Sequence, residues 1–215
     1  MRRKTGWVVI TVVAGVAAAA LAAAAVPVAK VGRPAPAFTL KDQDGKTVTL
    51  VSLRGRIVVL EWMNPDCPFW KRHAAAGTMR NLAETYAPKG VAWYAVNSTA
   101  HLPIERDAWA REAFYLPYPV LNDRRGRVGR VYGAKTTPHL FVIDARGRLA
   151  YAGAIDDDPA GEHDVRLRTL KGGPGVLNYV RQALDELLAG KPVSVPETKP
   201  YGCSVKYADQ DLPRR

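Results

Sequence analysis

The chain has 215 residues, of which 47% are apolar, and carries a formal charge of +11. No stretch interleaves the basic residues with stacking aromatics, so no nucleic-acid partner is expected, and the charge implies solubility with weak attraction to anionic membrane surfaces. The two cysteines, Cys67 and Cys203, form an even pair that an oxidising compartment would use as a structural staple or as a redox couple.

Residues 1–29 differ in composition from the rest. Arg2, Arg3 and Lys4 precede an uncharged run rich in Val and Ala, residues 7–25, followed by small residues suited to signal-peptidase cleavage. The run is also long enough to stay in place as a membrane anchor. Either reading puts the remaining chain outside the cytoplasm, in a periplasmic or other extracytoplasmic space. The residues after Arg3 lack the apolar pair of a twin-arginine signal. Residues 30–190 read as one domain with a single core, since no linker or internal repeat divides them. Residues 191–215 read as a Pro-rich tail that lies extended on the surface and carries Cys203 back toward the domain.

Within the domain, short β-prone runs at 38–40 and 47–50 flank Asp44-Gly45, a turn dipeptide that favours positive φ, and predict a hairpin. Residues 57–63 are almost wholly apolar and β-branched, as in a central strand buried on both faces, with Glu61 the one polar member. A helical pattern over 69–87 ends near Pro88 and Gly90, and a second apolar strand follows over 91–96. Beyond it come a helix at 104–114, an extended piece at 120–121 and a helical turn at 128–132. A second hairpin pairs 140–143 with 149–154 around Asp144 and Gly147, and a last amphipathic helix covers 176–188. Strands alternating with helices, then a hairpin and a closing helix, predict an α/β fold with a central mixed sheet flanked by helices and an N-terminal β-hairpin extension.

The chemistry centres on Cys67, between the buried strand and the helix. Pro68 suits the first helical position, which leaves Cys67 as the N-cap. There its sulfur faces the free N–H groups of Phe69 and Trp70 and the positive end of the helix dipole, with Lys71 and Arg72 as further favourable charges. A free thiol of pKa near 8.5 is only about 3% ionised at pH 7, whereas a pKa near 6.5 would give roughly 75% thiolate.

The run from Gly32 to Leu40, Asp44-Gly45, Leu53 to Gly55, Asp66-Cys67-Pro68, and Thr137-Pro138 before the run from Leu140 to Asp144 together resemble the thioredoxin superfamily. Within it they resemble the alkyl hydroperoxide reductase and thiol-specific antioxidant family of peroxiredoxin-like redoxins. The resemblance implies a thioredoxin-like fold, a reactive Cys67, a cis proline at Pro138, and a Thr137 backbone that offers hydrogen bonds to a substrate strand. It implies no cofactor. Three positions depart from the family. Trp70 stands where thioredoxins place a second cysteine, so exchange through a Cys-x-x-Cys pair is excluded. Asn64 and Pro138 stand where peroxiredoxins place a Thr and an Arg that orient peroxide, which weakens peroxide reduction, although Asn64 can still donate.

Glu61 stands where thioredoxins carry a buried carboxylate. If buried it would serve as general acid or base for the sulfur; on the other face it would reach solvent or a salt bridge. Cys203 is the only internal partner for Cys67, as a resolving cysteine that swings in or as a staple worth about 5 kcal/mol; intermolecular pairing is a third option. Trp62, Trp70 and Trp93 read as core or active-site rim, and Trp70, beside Cys67, as a side chain that could line a substrate groove. His73 and His139 could join Cys67 in a metal site, although their spacing matches no metal motif and packing histidines are the simpler reading. Asp156-Asp157-Asp158 read as an acidic loop. The function expected is an exported thiol oxidoreductase with Cys67, Cys203 and Glu61 catalytic and with Thr137, Pro138, Trp70 and Asn64 at the substrate. Its partners would be a protein disulfide or hydroperoxide and an external thiol reductant. The alternatives are a thiol peroxidase, or a metal- or substrate-binding domain without turnover.

Overall fold

A computed structural model describes residues 28–161 and 177–208. Most of the N-terminal segment read as a leader, including the apolar run, and the start of the last predicted helix lie outside the described residues. Seven strands form one mixed sheet: β1 (Thr39–Asp42), β2 (Thr47–Thr49), β3 (Val58–Trp62), β4 (Ala92–Asn97), β5 (Val120–Asn122), β7 (His139–Ile143) and β8 (Leu149–Gly153), in the order β2-β1-β5-β4-β3-β7-β8. The inner strands β3, β4 and β5 run parallel, while β1 and β7 join them antiparallel. A separate two-stranded ribbon pairs β6 (Thr136–Thr137) with β9 (Cys203–Ser204).

Alternation along β3 sets the two faces. Val58, Leu60 and Trp62 point into a cluster with Phe38, Tyr132, Phe141 and Ile143, whereas Val59 and Met63 join Trp70, Leu82, Trp93, Val142 and Leu184 on the other side. Glu61 follows the parity of Val59 and so faces the second cluster, under the helices. These are α1 (Pro68–Ala75), α2 (Thr78–Tyr86), α3 (Glu105–Ala113) and α5 (Tyr179–Leu188); α4 (Arg127–Tyr132) serves the opposite face. Asn178 caps α5 by accepting the Arg181 N–H at 2.8 Å, a contact worth about 1 kcal/mol. Among the described residues no helix is long and apolar enough to cross a membrane.

The single helix expected over 69–87 is two helices. Gly77, in the left-handed region at φ 73°, ends α1 and lets α2 leave in a new direction. Deeper in the fold, Asp107 is fully buried and held by Arg124 at 2.8 Å and by the Asn97 side-chain amide at 2.6 Å, which ties α3 to the end of β4. The Gly77→Ala chain is expected to lose roughly 1 kcal/mol of unfolding free energy. An added Cβ would meet chiefly the mobile end of Arg80, so the cost is conformational rather than steric. Urea denaturation should show a lower midpoint at unchanged slope.

Candidate active site

Cys67 is the N-cap of α1 and follows a turn that Asn64 organises: its Oδ1 accepts the Asp66 N–H at 2.8 Å and its carbonyl accepts the Cys67 N–H at 3.0 Å. Asn64 is buried and its Oδ1 is spent on this turn, so it shapes the loop. The Cys67 thiol donates to the carbonyl oxygen of Thr137 at 2.9 Å, and the peptide bond from Thr137 to Pro138 is cis, as the resemblance implied. Thr137 in turn pairs with Cys203 across the β6–β9 ribbon. The two cysteines, both free, thus meet at one backbone position.

Their acidities diverge. Burial pushes the Cys67 thiol up, but hydrogen bonds from the Thr137 side-chain hydroxyl, the Trp70 backbone N–H and Cys203 outweigh it, and the thiol is held below its ordinary value. The sulfur closes no cap bond of ordinary geometry with the helix, so the Trp70 N–H acts at longer range. Cys203 is the protonated member: burial, its hydrogen bond to Cys67 and the neighbouring negative charge push it up to about 11. Arg72, expected to favour the thiolate, instead donates to the Asp158 carbonyl at 2.9 Å.

Glu61 is fully buried on the helix-covered face, which settles the choice left open by the strand pattern. Its Oε1 accepts the Trp70 indole N–H at 2.6 Å, and its Oε2 accepts the Trp93 indole at 2.8 Å and the Tyr118 hydroxyl at 2.9 Å. Burial pushes its pKa up against these three donors. Among the described residues no hydrogen bond joins Glu61 to Cys67; the carboxylate acts on the site by positioning Trp70. Of the two readings of Trp70 the core one holds and the groove rim does not, for the same reason. Its indole is drawn inward to Glu61, its ring packs edge-on against Phe114 at 5.1 Å, and it is 0% exposed.

The histidines do not assemble a metal site: among the described residues no three His, Cys, Asp or Glu side chains are placed to hold an ion. His139 stacks on Phe141 at 4.3 Å and accepts the Lys135 N–H at 3.1 Å, and burial, helped by Lys135, pushes its pKa down to about 3, so it stays neutral. His73 is buried and meets the Tyr201 hydroxyl at 2.9 Å. That hydroxyl also donates to Asp156, a buried member of the acidic loop that follows β8. Tyr201, two residues before Cys203, is a site-building residue that the sequence reading passed over. It sits in a Pro- and Gly-rich stretch without periodicity, and its partners lie on two distant segments, α1 and the loop at Asp156.

The AhpC/TSA family model matches residues 31–152, more than half of the chain. The chain belongs to the AhpC/TSA family. It is 33% identical over 120 residues to the thiol-disulfide oxidoreductase ResA of Geobacillus thermodenitrificans, covering 55% of this chain and 66% of that protein. It is 32% identical over 132 residues to the chloroplastic peroxiredoxin Q of Triticum aestivum, covering 56% of this chain and 57% of that one. The chain thus spans less than two thirds of the length of either relative. Among solved structures it is similar to a hypothetical protein of Sinorhizobium meliloti, with a TM-score of 0.72, 29% identity and coverage of 83% of this chain and 95% of the other. An uncharacterized protein of Geobacillus kaustophilus is similar at a TM-score of 0.70 and 29% identity, with coverage of 83% and 93%. The fold is thioredoxin-like.

Because Cys203 lends a hydrogen bond to the Cys67 sulfur, removing it should raise the Cys67 pKa. Thiolate absorbance near 240 nm, followed against pH, is expected to show an upward shift for Cys203→Ala and a smaller one for Cys203→Ser, whose hydroxyl can still donate. An unchanged titration in both variants would contradict the coupling.

Proposed function

We propose that the protein is an exported thiol-dependent oxidoreductase whose working unit is the Cys67–Cys203 couple. The observation that carries this reading is the pairing of Thr137 with Cys203 while the Thr137 carbonyl holds the Cys67 thiol. In the first step the Cys67 thiolate attacks one sulfur of an oxidant disulfide; a Cys67 mixed disulfide forms, the oxidant S–S bond breaks and a thiolate leaves, to be protonated by solvent. Cys203 then gives up its proton and attacks Cys67 Sγ, expelling the second thiolate and closing the Cys67–Cys203 disulfide. Two electrons have passed from the cysteine pair to the oxidant, and two equivalents of an external thiol reverse the change. With a hydroperoxide in place of the disulfide, the intermediates would be a Cys67 sulfenic acid and an alcohol, and water would leave at closure.

The divergent acidities support these roles, since the lower-pKa sulfur is the better attacking and leaving group. A disulfide oxidant is favoured over a hydroperoxide. Pro138 offers no donor, and Asn64, buried with its Oδ1 tied into the turn before Cys67, replaces the hydroxyl of the other position, so the peroxide-orienting pair is not reproduced. The name of the Geobacillus relative agrees with this choice, while that of the wheat relative keeps the peroxidase as second reading. Export rests on the composition of residues 1–29.

Turnover with a small disulfide and an external thiol should fall at least roughly a hundredfold in Cys67→Ser. Cys203→Ser is expected to stop after one stoichiometric adduct at Cys67, detected by non-reducing mass spectrometry. Full turnover in Cys203→Ser would refute the two-cysteine cycle.

A further inference from the structure

The segment 191–208 is built into the domain. The Pro196 carbonyl accepts the Ala152 N–H at 3.0 Å and the Thr198 N–H returns to the Ala152 carbonyl at 3.2 Å, so the segment pairs with β8. Tyr201 is held by His73 and Asp156. Past β9, Tyr207 donates to the Ala134 carbonyl at 2.8 Å and lies under the Arg130 guanidinium at 4.6 Å. The body supplies glycine beneath these anchors: a Cβ at Gly153 would collide with Thr198, and one at Gly126 or Gly129 would come within 2.5 Å of Tyr207.

Between the two tyrosines the chain is held against the redox site. Thr137 O lies 2.9 Å from Cys67 Sγ, so any strand that pairs with Thr137 sets its own residue beside that sulfur. β9 fills this position with Cys203, and a Cβ on Gly202 would strike the Thr137 carbonyl oxygen, which means that the strand approaches as closely as backbone can. Cys67 is left 1% exposed. An incoming polypeptide would need the same edge and would compete with a tethered strand whose effective concentration is on the order of millimolar. A small oxidant needs only a local opening above the sulfur.

We propose that residues 197–207 are a specificity strap: when seated they occupy the strand position a polypeptide substrate would take, so Cys67 exchanges with low-molecular-weight disulfides and not with protein disulfides. This rests on the thiol-exchange reading above and names the substrate class of that site. Tyr201, Gly202 and Tyr207 are its positioning residues.

The full-length Cys203→Ser chain keeps the strand and halts the reaction at the Cys67 adduct. Adduct formation is followed by mass spectrometry with 2-hydroxyethyl disulfide and with insulin, in this chain and after adding Gly202→Val, which lifts β9. Tyr201→Ala serves as a second, independent release. The seated chain is expected to react with insulin at least roughly tenfold more slowly than with the small disulfide. Release should raise the insulin rate relative to the small-disulfide rate by roughly tenfold or more. Comparable rates in the seated chain, a parallel rise of both, or an insulin rate unmoved by either release would overturn the strap alone. If Cys67 reacts with neither disulfide in any chain, the thiol-exchange reading falls with it.

Discussion

One peptide unit, that of Thr137, organises both sulfurs. Its carbonyl oxygen takes the Cys67 thiol from the helix side, and its strand takes Cys203 from the tail side. The constraint is sharp because the acceptor is backbone, fixed by the ribbon and by the strand β7 that starts just beyond Pro138. A side-chain acceptor would let either sulfur drift by an ångström or more. Thiol chemistry depends on sulfur placement at that scale, so the shape of this one turn matters more to the site than the strength of any single hydrogen bond in it.

The position that thioredoxins give to a second cysteine has been converted into packing. Trp70 fills it, and the carboxylate of Glu61 is saturated by Trp70, Trp93 and Tyr118, which reach it from α1, β4 and the approach to β5. A buried carboxylate with three donors fixes the orientation of every group around it, because loss of any one leaves a desolvated charge short of a partner. The start of α1 is thereby locked to the sheet. Where a local dithiol would stand there is one rigid thiol, and the second cysteine near it comes from 136 positions further along the chain.

Much of this was legible in the sequence, for identifiable reasons. The apolar run of β3, the Cys67-Pro68 junction and the Asp144 to Gly147 turn are local signals, each decided by its own few residues, and the structure has the corresponding elements close to where they were read. The face of Glu61 followed only once the parity of β3 was tied to the helices. The break at Gly77 was hidden because one glycine inside a helical pattern is compatible with continuation as well as with a stop. The extended course of the tail and the return of Cys203 to the domain were legible, but its points of attachment were not. Its Pro-rich composition indicates an extended surface path, whereas its anchors are single side chains such as Thr198 and Tyr207 received by glycines far away in sequence. Complementarity of that kind has no period to detect.

The pairing of Pro196 and Thr198 with Ala152 has a consequence apart from redox chemistry. β8 ends the seven-stranded sheet on that side, and an uncovered end strand offers unpaired amides and carbonyls to any neighbouring chain. The opposite end is closed by β2, only three residues long. The same segment that brings Cys203 to its place therefore also blunts the sheet against self-association, and a chain that sheds its tail would become sticky as well as chemically altered.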